Sequence, residues 1–550
     1  MNAGVILAVG YAAILAGYKY MRRPVENLMG IDTSRKTPAH VQFDGFDYVP
    51  TKTGVLYGHH WMSVAGASPI IAAIVGLQWG WVPAILWMVL GVIFLGGIHD
   101  SLAMHISVRN KGGTYGMVLT ELMGKAMGIL GIVAMALAGA LVVSIFLPLT
   151  ASTLHAAPTA SMATWGYMPL AFLFGWLLYR RRWSLLSATG LTLTLVAATV
   201  VIGVYVPIAL PTTTWFWLMV GYAALTMATP IWVMLQPRDY LNAFKVGFVI
   251  VLGAIGLLIG RPAMTLPAFI TWETAHGWLW PMLFVTISCG AATGLHAFIS
   301  GGITSRQLDN EKDTHTIGYG GMVGETVIAL MCALSVASVF TVGNIGDAIR
   351  APGVAFPQAL ARNLAFLGLS PELAFTLASF TFAGVVITTM DTYGRSARYA
   401  IQDLGRNTIL ANPYVASAFL LGFVLLLYFT TPFAQLWTAL VAVGFLVLGI
   451  TILATFYWKA REGLATRGLL SGWLKVAFWL IVVTSGGAGS VLLRRAIERD
   501  QWMAAGLFAL PLGMLLLTIM AGLKFFRKGG ITVPVKTSGV AGGSGGASGD

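Results

Sequence analysis

Charge is what this chain has least of. Asp, Glu, Lys and Arg make up 10% of its 550 residues against 57% hydrophobic ones, and the mean hydropathy is +0.80. Soluble domains carry about 25% charged residues. No soluble fold of this length hides so much apolar surface, so a bilayer is the solvent for much of the chain. Cysteine is nearly missing. Cys289 and Cys332 both lie in apolar runs, which excludes a disulfide framework and a thiolate metal site. No Walker loop, metalloprotease helix motif or nucleophile elbow occurs, which removes support for ATP-driven pumping and membrane proteolysis. No nucleic-acid module is present either. The net charge of +13 reads as basic cytoplasmic loops.

Long apolar runs are what the chain does have. Stretches of about 18 to 25 residues, the length that crosses the hydrocarbon core, predict about fifteen transmembrane helices: 3–20, 55–78, 82–107, 126–149, 165–180, 184–207, 213–235, 243–261, 279–302, 317–341, 371–392, 412–430, 434–457, 471–490 and 502–523. The first has no basic n-region and no cleavage site, so it reads as a retained helix rather than a signal peptide. With the N-terminus outside, 27 of the 33 Lys and Arg fall on inner segments and six on outer ones, which predicts an N-out, C-in orientation. Arg494, Arg495 and Arg499 are the one local violation. The stretch from Gly346 to Ser370 is too polar to span and predicts a short outer amphipathic helix or re-entrant piece. The Gly/Ser-rich tail after Lys536 reads as a flexible linker.

Three spans carry breakers at mid-depth. One reads Gly66-Ala67-Ser68-Pro69, a second Thr226-Met227-Ala228-Thr229-Pro230, a third Gly290-Ala291-Ala292-Thr293-Gly294-Leu295-His296. Unwound backbone in a bilayer must be satisfied by protein or by water lining a cavity. Half-helix N-termini offer N–H groups to an anion, and two broken helices at matching positions point to a transporter site. The first two breaks are five helices apart and run in opposite directions. That predicts an all-α polytopic membrane protein with a 5+5 inverted-repeat core and peripheral helices. The units are 1–54 (first helix and inner loop), 55–207 and 208–403 (the two repeats), 404–536 (peripheral helices) and 537–550 (tail). Ordinary proline kinks are the competing reading of each motif alone.

These strings resemble the carbon starvation protein A family of peptide and pyruvate transporters. The resemblance runs from about Tyr18 to Asp403. It is carried by Phe43-Asp44-Gly45-Phe46-Asp47-Tyr48-Val49-Pro50-Thr51, Gly58-His59-His60, Ala65-Gly66-Ala67-Ser68-Pro69, Leu235-Gln236-Pro237-Arg238-Asp239-Tyr240-Leu241, Gly294-Leu295-His296-Ala297-Phe298-Ile299-Ser300-Gly301 and Thr389-Met390-Asp391-Thr392-Tyr393-Gly394-Arg395. The resemblance implies a multi-pass inner-membrane secondary transporter with the amino acid–polyamine–organocation (LeuT-type) core. The family commonly has Gly-Pro where this chain has Ser68-Pro69.

Ionisable residues at membrane depth are expensive and face a protein interior or a water path. His59 and His60 read as interfacial histidines or as a protonatable gate. The spacing of His99, Asp100 and His105 opposes a single helical metal site, and Asp100 is expected to pair across helices, either as a proton-coupling residue or as one that only holds the bundle together. His296, four residues from Ser300, is the expected proton-coupling or substrate-binding residue. Glu325 and Asp391 are expected partners of cytoplasmic arginines, with Asp391 also a coupling candidate. Arg238 and Asp239 read as a cytoplasmic helix-end pair. The expected substrate site is Gly66, Ala67, Ser68, Pro69, Thr226, Thr229, Pro230, Thr293 and His296. No cofactor or metal is expected beyond H⁺ or Na⁺ as coupling ion. The expected partners are a small-molecule substrate and membrane lipids. The expected function is import of a small carboxylate such as pyruvate, or of short peptides. A non-transporting nutrient sensor using the same pocket is the alternative.

Overall fold

The computed structural model describes residues 2–45, 47–229 and 231–527, with the backbone alone for Tyr179 and 231–236. Pro230 and the tail 537–550 lie outside the described residues. The chain opens with α1 (Ala3–Met29), capped by the Asn2 side chain on the Gly4 N–H at 2.8 Å, and a short α2 (Pro38–Val41). Next come α3 (Thr53–Val64) and α4 (Ser68–Gly76), bent 48° apart across residues 65–67. Then follow α5 (Trp81–Gly91) and α6 (Gly97–Arg109), joined without a loop by a π-helical turn (Val92–Gly96). A short α7 (Tyr115–Met123) leads into the long α8 (Lys125–Ala156).

After α8 come α9 (Pro158–Tyr179), α10 (Leu185–Tyr205), α11 (Thr212–Ala228) and α12 (Ile231–Gly260). The loop that follows forms the hairpin β1 (Glu273–Thr274) and β2 (Gly277–Trp278). Beyond it α13 (Leu279–Thr286) and α14 (Ala297–Ser300) flank ten residues without helix. A second π-turn (His315–Tyr319) opens α15 (Gly320–Ala337). The rest are α16 (Ile345–Arg350), α17 (Pro352–Ala365), α18 (Pro371–Leu404), α19 (Pro413–Thr430), α20 (Phe433–Arg461), α21 (Leu469–Glu498) and α22 (Trp502–Arg527).

Among the described residues eleven helices are long and apolar enough to cross a membrane, and twelve with the bent pair α3–α4 counted as one span. They divide by burial. The most apolar windows of α15 and α20 are 94% buried, whereas those of α1, α10 and α19 are 28% buried and turn the rest of their apolar surface outward. A helix that is apolar all round and mostly uncovered needs lipid as its solvent. The centre is the crossing of α8 and α18, the most extensive helix pair. Small residues permit it, as between packed helices in membranes: Gly139 of α8 lies against Ala397 and the Tyr393 carbonyl of α18.

Several expectations need correction here. The loop expected at 236–242 is helical, because α12 begins at Ile231 and carries Pro237 inside it. Thr226, Met227 and Ala228 are therefore the last residues of α11 rather than the middle of a longer span. Thr229 caps α11 with an extended backbone. Likewise α18 continues to Leu404, so Asp391 is interior rather than terminal. The Gly346–Ser370 segment holds two helices, α16 and α17, and α17 buries one face through Phe356, Ala359, Leu360 and Leu364. α21 runs past 490. Arg494 pairs with Glu498 at 2.6 Å, and Arg495 donates to the Ala275 carbonyl between β1 and β2 at 3.0 Å.

Candidate functional site

The first break is held open by α18. Ala65 still donates to the Trp61 carbonyl at 2.7 Å, but Gly66 N–H turns back to Val64 and Ala67 N–H is taken by the Thr389 hydroxyl at 3.2 Å. Gly66 lies so close to Thr389 that a Cβ would overlap its hydroxyl. Ser68 and Pro69 then start α4, with proline in the first turn where its missing N–H costs nothing. The sequence reading of Gly66–Pro69 as a helix break matches this geometry.

The second unwound stretch is 287–296. Gly290 takes φ +87°, open only to glycine at little cost, and packs against Pro69 and Ala329. Gly294 N–H leaves the helical pattern altogether and donates to the Gly444 carbonyl of α20 at 2.9 Å. Thr293 and His296 are buried in this stretch, so the two breaks touch.

Against them lies a chain of ionisable side chains. His99 Nδ1 is 2.8 Å from Asp100 Oδ1, and Asp100 Oδ2 is 2.7 Å from His296 Nδ1. His296 Nε2 is 3.4 Å from Glu325 Oε2. All four side chains are 0–2% exposed. The Asp100 partner on another helix is thus His296. Glu325 faces His296 and not a cytoplasmic arginine, because the π-turn and the first turns of α15 carry it away from the helix end. A lone carboxylate in the apolar run Met322-Val323-Gly324-Glu325-Thr326-Val327 was the signal that marks it. His60 completes the group from α3, its Nδ1 2.9 Å from the Thr304 hydroxyl. His59 is half-buried one residue earlier. His105 stands apart, edge-on to Trp458 at 5.3 Å. Cys289 and Cys332 are buried free thiols.

The remaining expected residues form a second network. Asp391 accepts from the Thr226 hydroxyl at 2.9 Å and from Tyr222 at 2.7 Å, and it pairs with Arg238. Arg238 also reaches Asp239 at 3.1 Å, and both are buried inside the bundle rather than set at a helix end. Arg395 donates to the Thr226 and Thr229 carbonyls and so satisfies the end of α11. Thr226 and Thr229 therefore belong with Asp391, not with Gly66 and His296. Asn242 of α12 bridges the two regions, donating to Thr388 at 3.2 Å beside Thr389. Sequence reasoning missed Thr389, Tyr222 and Asn242, whose roles arise only when α18 meets α3, α11 and α12.

The family model described as carbon starvation protein CstA matches residues 2–357. The chain belongs to that family. Among its curated relatives, the Peptide transporter CstA of Escherichia coli (strain K12) is 32% identical over 351 residues, 61% of this chain and 50% of the relative. The Pyruvate/proton symporter BtsT of the same organism is 33% identical over 357 residues, 62% and 49%. The Peptide transporter CstA of Campylobacter jejuni is 29% identical over 450 residues, 78% and 60%. This CstA-family chain spans about half the length of the first two relatives. A manganese transporter of Eremococcus coleocola is similar in structure at a TM-score of 0.45 and 13% identity, covering 88% of this chain and 99% of that one.

Proposed function

We propose that this CstA-family chain is a proton-coupled secondary transporter of the inner membrane that imports a small carboxylate such as pyruvate, or short peptides. One observation carries the reading: His296, in an unwound stretch, sits between two buried carboxylates beside the other helix break. An imidazolium neutralises one carboxylate, and the second is neutral only with another proton. Charge in a bilayer interior is costly, so proton uptake and substrate occupancy are tied together there. The α4 N-terminus at Ser68 offers unpaired N–H groups to a substrate carboxylate, with Gly66, Ala67, Pro69 and Thr293 as the adjoining wall. His59 and His60 approach from the inner side as gate residues. Thr226, Thr229 and Asp391 hold the end of α11 against the interior of α18, and we assign them to gating rather than to substrate.

The same reading takes the core as a 5+5 inverted repeat within about fifteen spans, N-out and C-in. Its support is an order that occurs twice: a broken helix (α3–α4, then α13–α14), a helix with a π-turn (α5–α6, then α15), and a helix of 32 or 34 residues (α8, then α18). This moves the second unit from 208–403 to about Leu279–Arg461, with two of the helices between α8 and α13 as additions. Arg238, Lys245, Arg395 and Arg398 are buried in the bundle. Even without those four, 23 basic residues fall inside and six outside. The test is uptake of labelled pyruvate and labelled dipeptides into proteoliposomes under imposed proton and sodium gradients. Uptake driven by an inward proton gradient is expected. No uptake of either class under either gradient ends this reading.

A further inference from the structure

The two π-turns are in contact with each other. Tyr319, the last residue of the second turn, donates its hydroxyl to the Ile93 carbonyl of the first at 2.8 Å, and Tyr319 is fully buried. A π-turn holds one residue more than the α-helix and leaves carbonyls without their usual partner, and such turns are frequent at functional sites. The extra residue also decides which way every later side chain points, since each α-helical residue turns the helix by about 100°.

Both turns abut the ionisable chain. Gly96 lies on the Ala291 carbonyl and Ala292 of the unwound stretch, and Gly318 lies on the backbone of Asp100 and Ser101. Gly97 gives the Tyr319 ring its place. From outside, α1 closes the junction: Tyr18 stacks on His315 at 5.0 Å and meets Tyr319 edge-on at 5.8 Å.

We infer that Tyr319 is a positioning residue: by clamping the two π-turns together it sets the contact between Asp100 and His296. The inference rests on the proton-coupled reading for its role in transport, but not for its geometry. The titratable groups around that contact are His99 on α6, Glu325 on α15, His59 and His60 on α3, Cys289 in the unwound stretch and Tyr393 on α18. Around Tyr319 itself are His315 and Tyr18, with Arg22 and Glu26 of α1 beyond His315. None of them replaces the hydroxyl that reaches Ile93.

The test is Tyr319→Phe in the full chain, which removes one oxygen and keeps the ring. Tyr115→Phe is the control, because its hydroxyl is also buried but bonds Thr451 of α20 at 3.1 Å. Two readouts are taken: the pH profile of uptake in proteoliposomes, and the pH midpoint at which dicyclohexylcarbodiimide labels Asp100 and Glu325, read by mass spectrometry. Tyr319→Phe is expected to move both midpoints by at least half a pH unit at near-normal yield, and Tyr115→Phe to move neither. Unchanged midpoints in Tyr319→Phe, or equal shifts in both variants, overturn the inference. The labelling midpoint needs no transport, so a wild-type protein without uptake defeats the transport reading while this one is still decided. If Tyr319→Phe does not accumulate, Gly318→Ala, which presses on the Asp100 backbone, carries the same expectation on the labelling midpoint and the same refutation.

Discussion

At the scale of single residues, buried charge is the quantity that matters. Arg238 lies between Asp391 and Asp239, and all three side chains are buried. Removing one partner of a buried pair leaves an uncompensated charge and costs about 3–5 kcal/mol, whereas replacing the pair by apolar side chains is often near neutral. Arg238→Ala is therefore expected to lower yield and melting temperature sharply, and Arg238→Ala with Asp391→Ala to recover part of both, Asp239 being left without its partner in each. Equal losses in the single and double variants, measured by thermal melting in detergent, contradict an ion pair there. How legible these residues were in the sequence depended on distance. His296, Asp100 and Asp391 stand out because ionisable residues are scarce in apolar runs. Their partners do not, because His296 and Glu325 are 29 positions apart, one in the unwound stretch and the other on α15, and no helical spacing connects them. Glu325 was discounted because a carboxylate close to an expected span boundary reads as interfacial. The π-turn before it moves that boundary.

At the scale of elements, the breaks are held by close approach. Gly66 fits only because nothing but hydrogen stands between it and the Thr389 hydroxyl. Overpacking a fitted contact costs about 1–3 kcal/mol. Gly66→Ala is expected to destabilise by that amount, and Gly66→Ala with Thr389→Ala to recover part of it. Normal stability and uptake in Gly66→Ala alone contradicts the packing described. The break at Gly66–Pro69 was legible because glycine and proline act locally. The same rule misled at Thr226–Pro230. Proline ends a helix, breaks one or starts the next with the same local sequence, and only the length of α12 decides among them. The unwound stretch at 287–296 was half legible: its glycines were seen, but the docking of Gly294 on α20 depends on a helix 150 residues later.

At the scale of the whole molecule, hydrophobic length made the long apolar helices legible, because it is set by the solvent rather than by the fold. The contact between the breaks at 65–67 and 287–296 was hidden, since about 220 residues separate them and they share no sequence pattern. The central claim is that substrate and proton move together through the group formed by His296, Asp100 and Glu325. Lumenal pH in proteoliposomes, recorded with an entrapped dye after pyruvate or a dipeptide is added outside, tests it most directly. Lumenal acidification is expected with the wild-type chain, reduced at least tenfold in His296→Ala at equal protein incorporation. Substrate entry without acidification, or full acidification in His296→Ala, contradicts it.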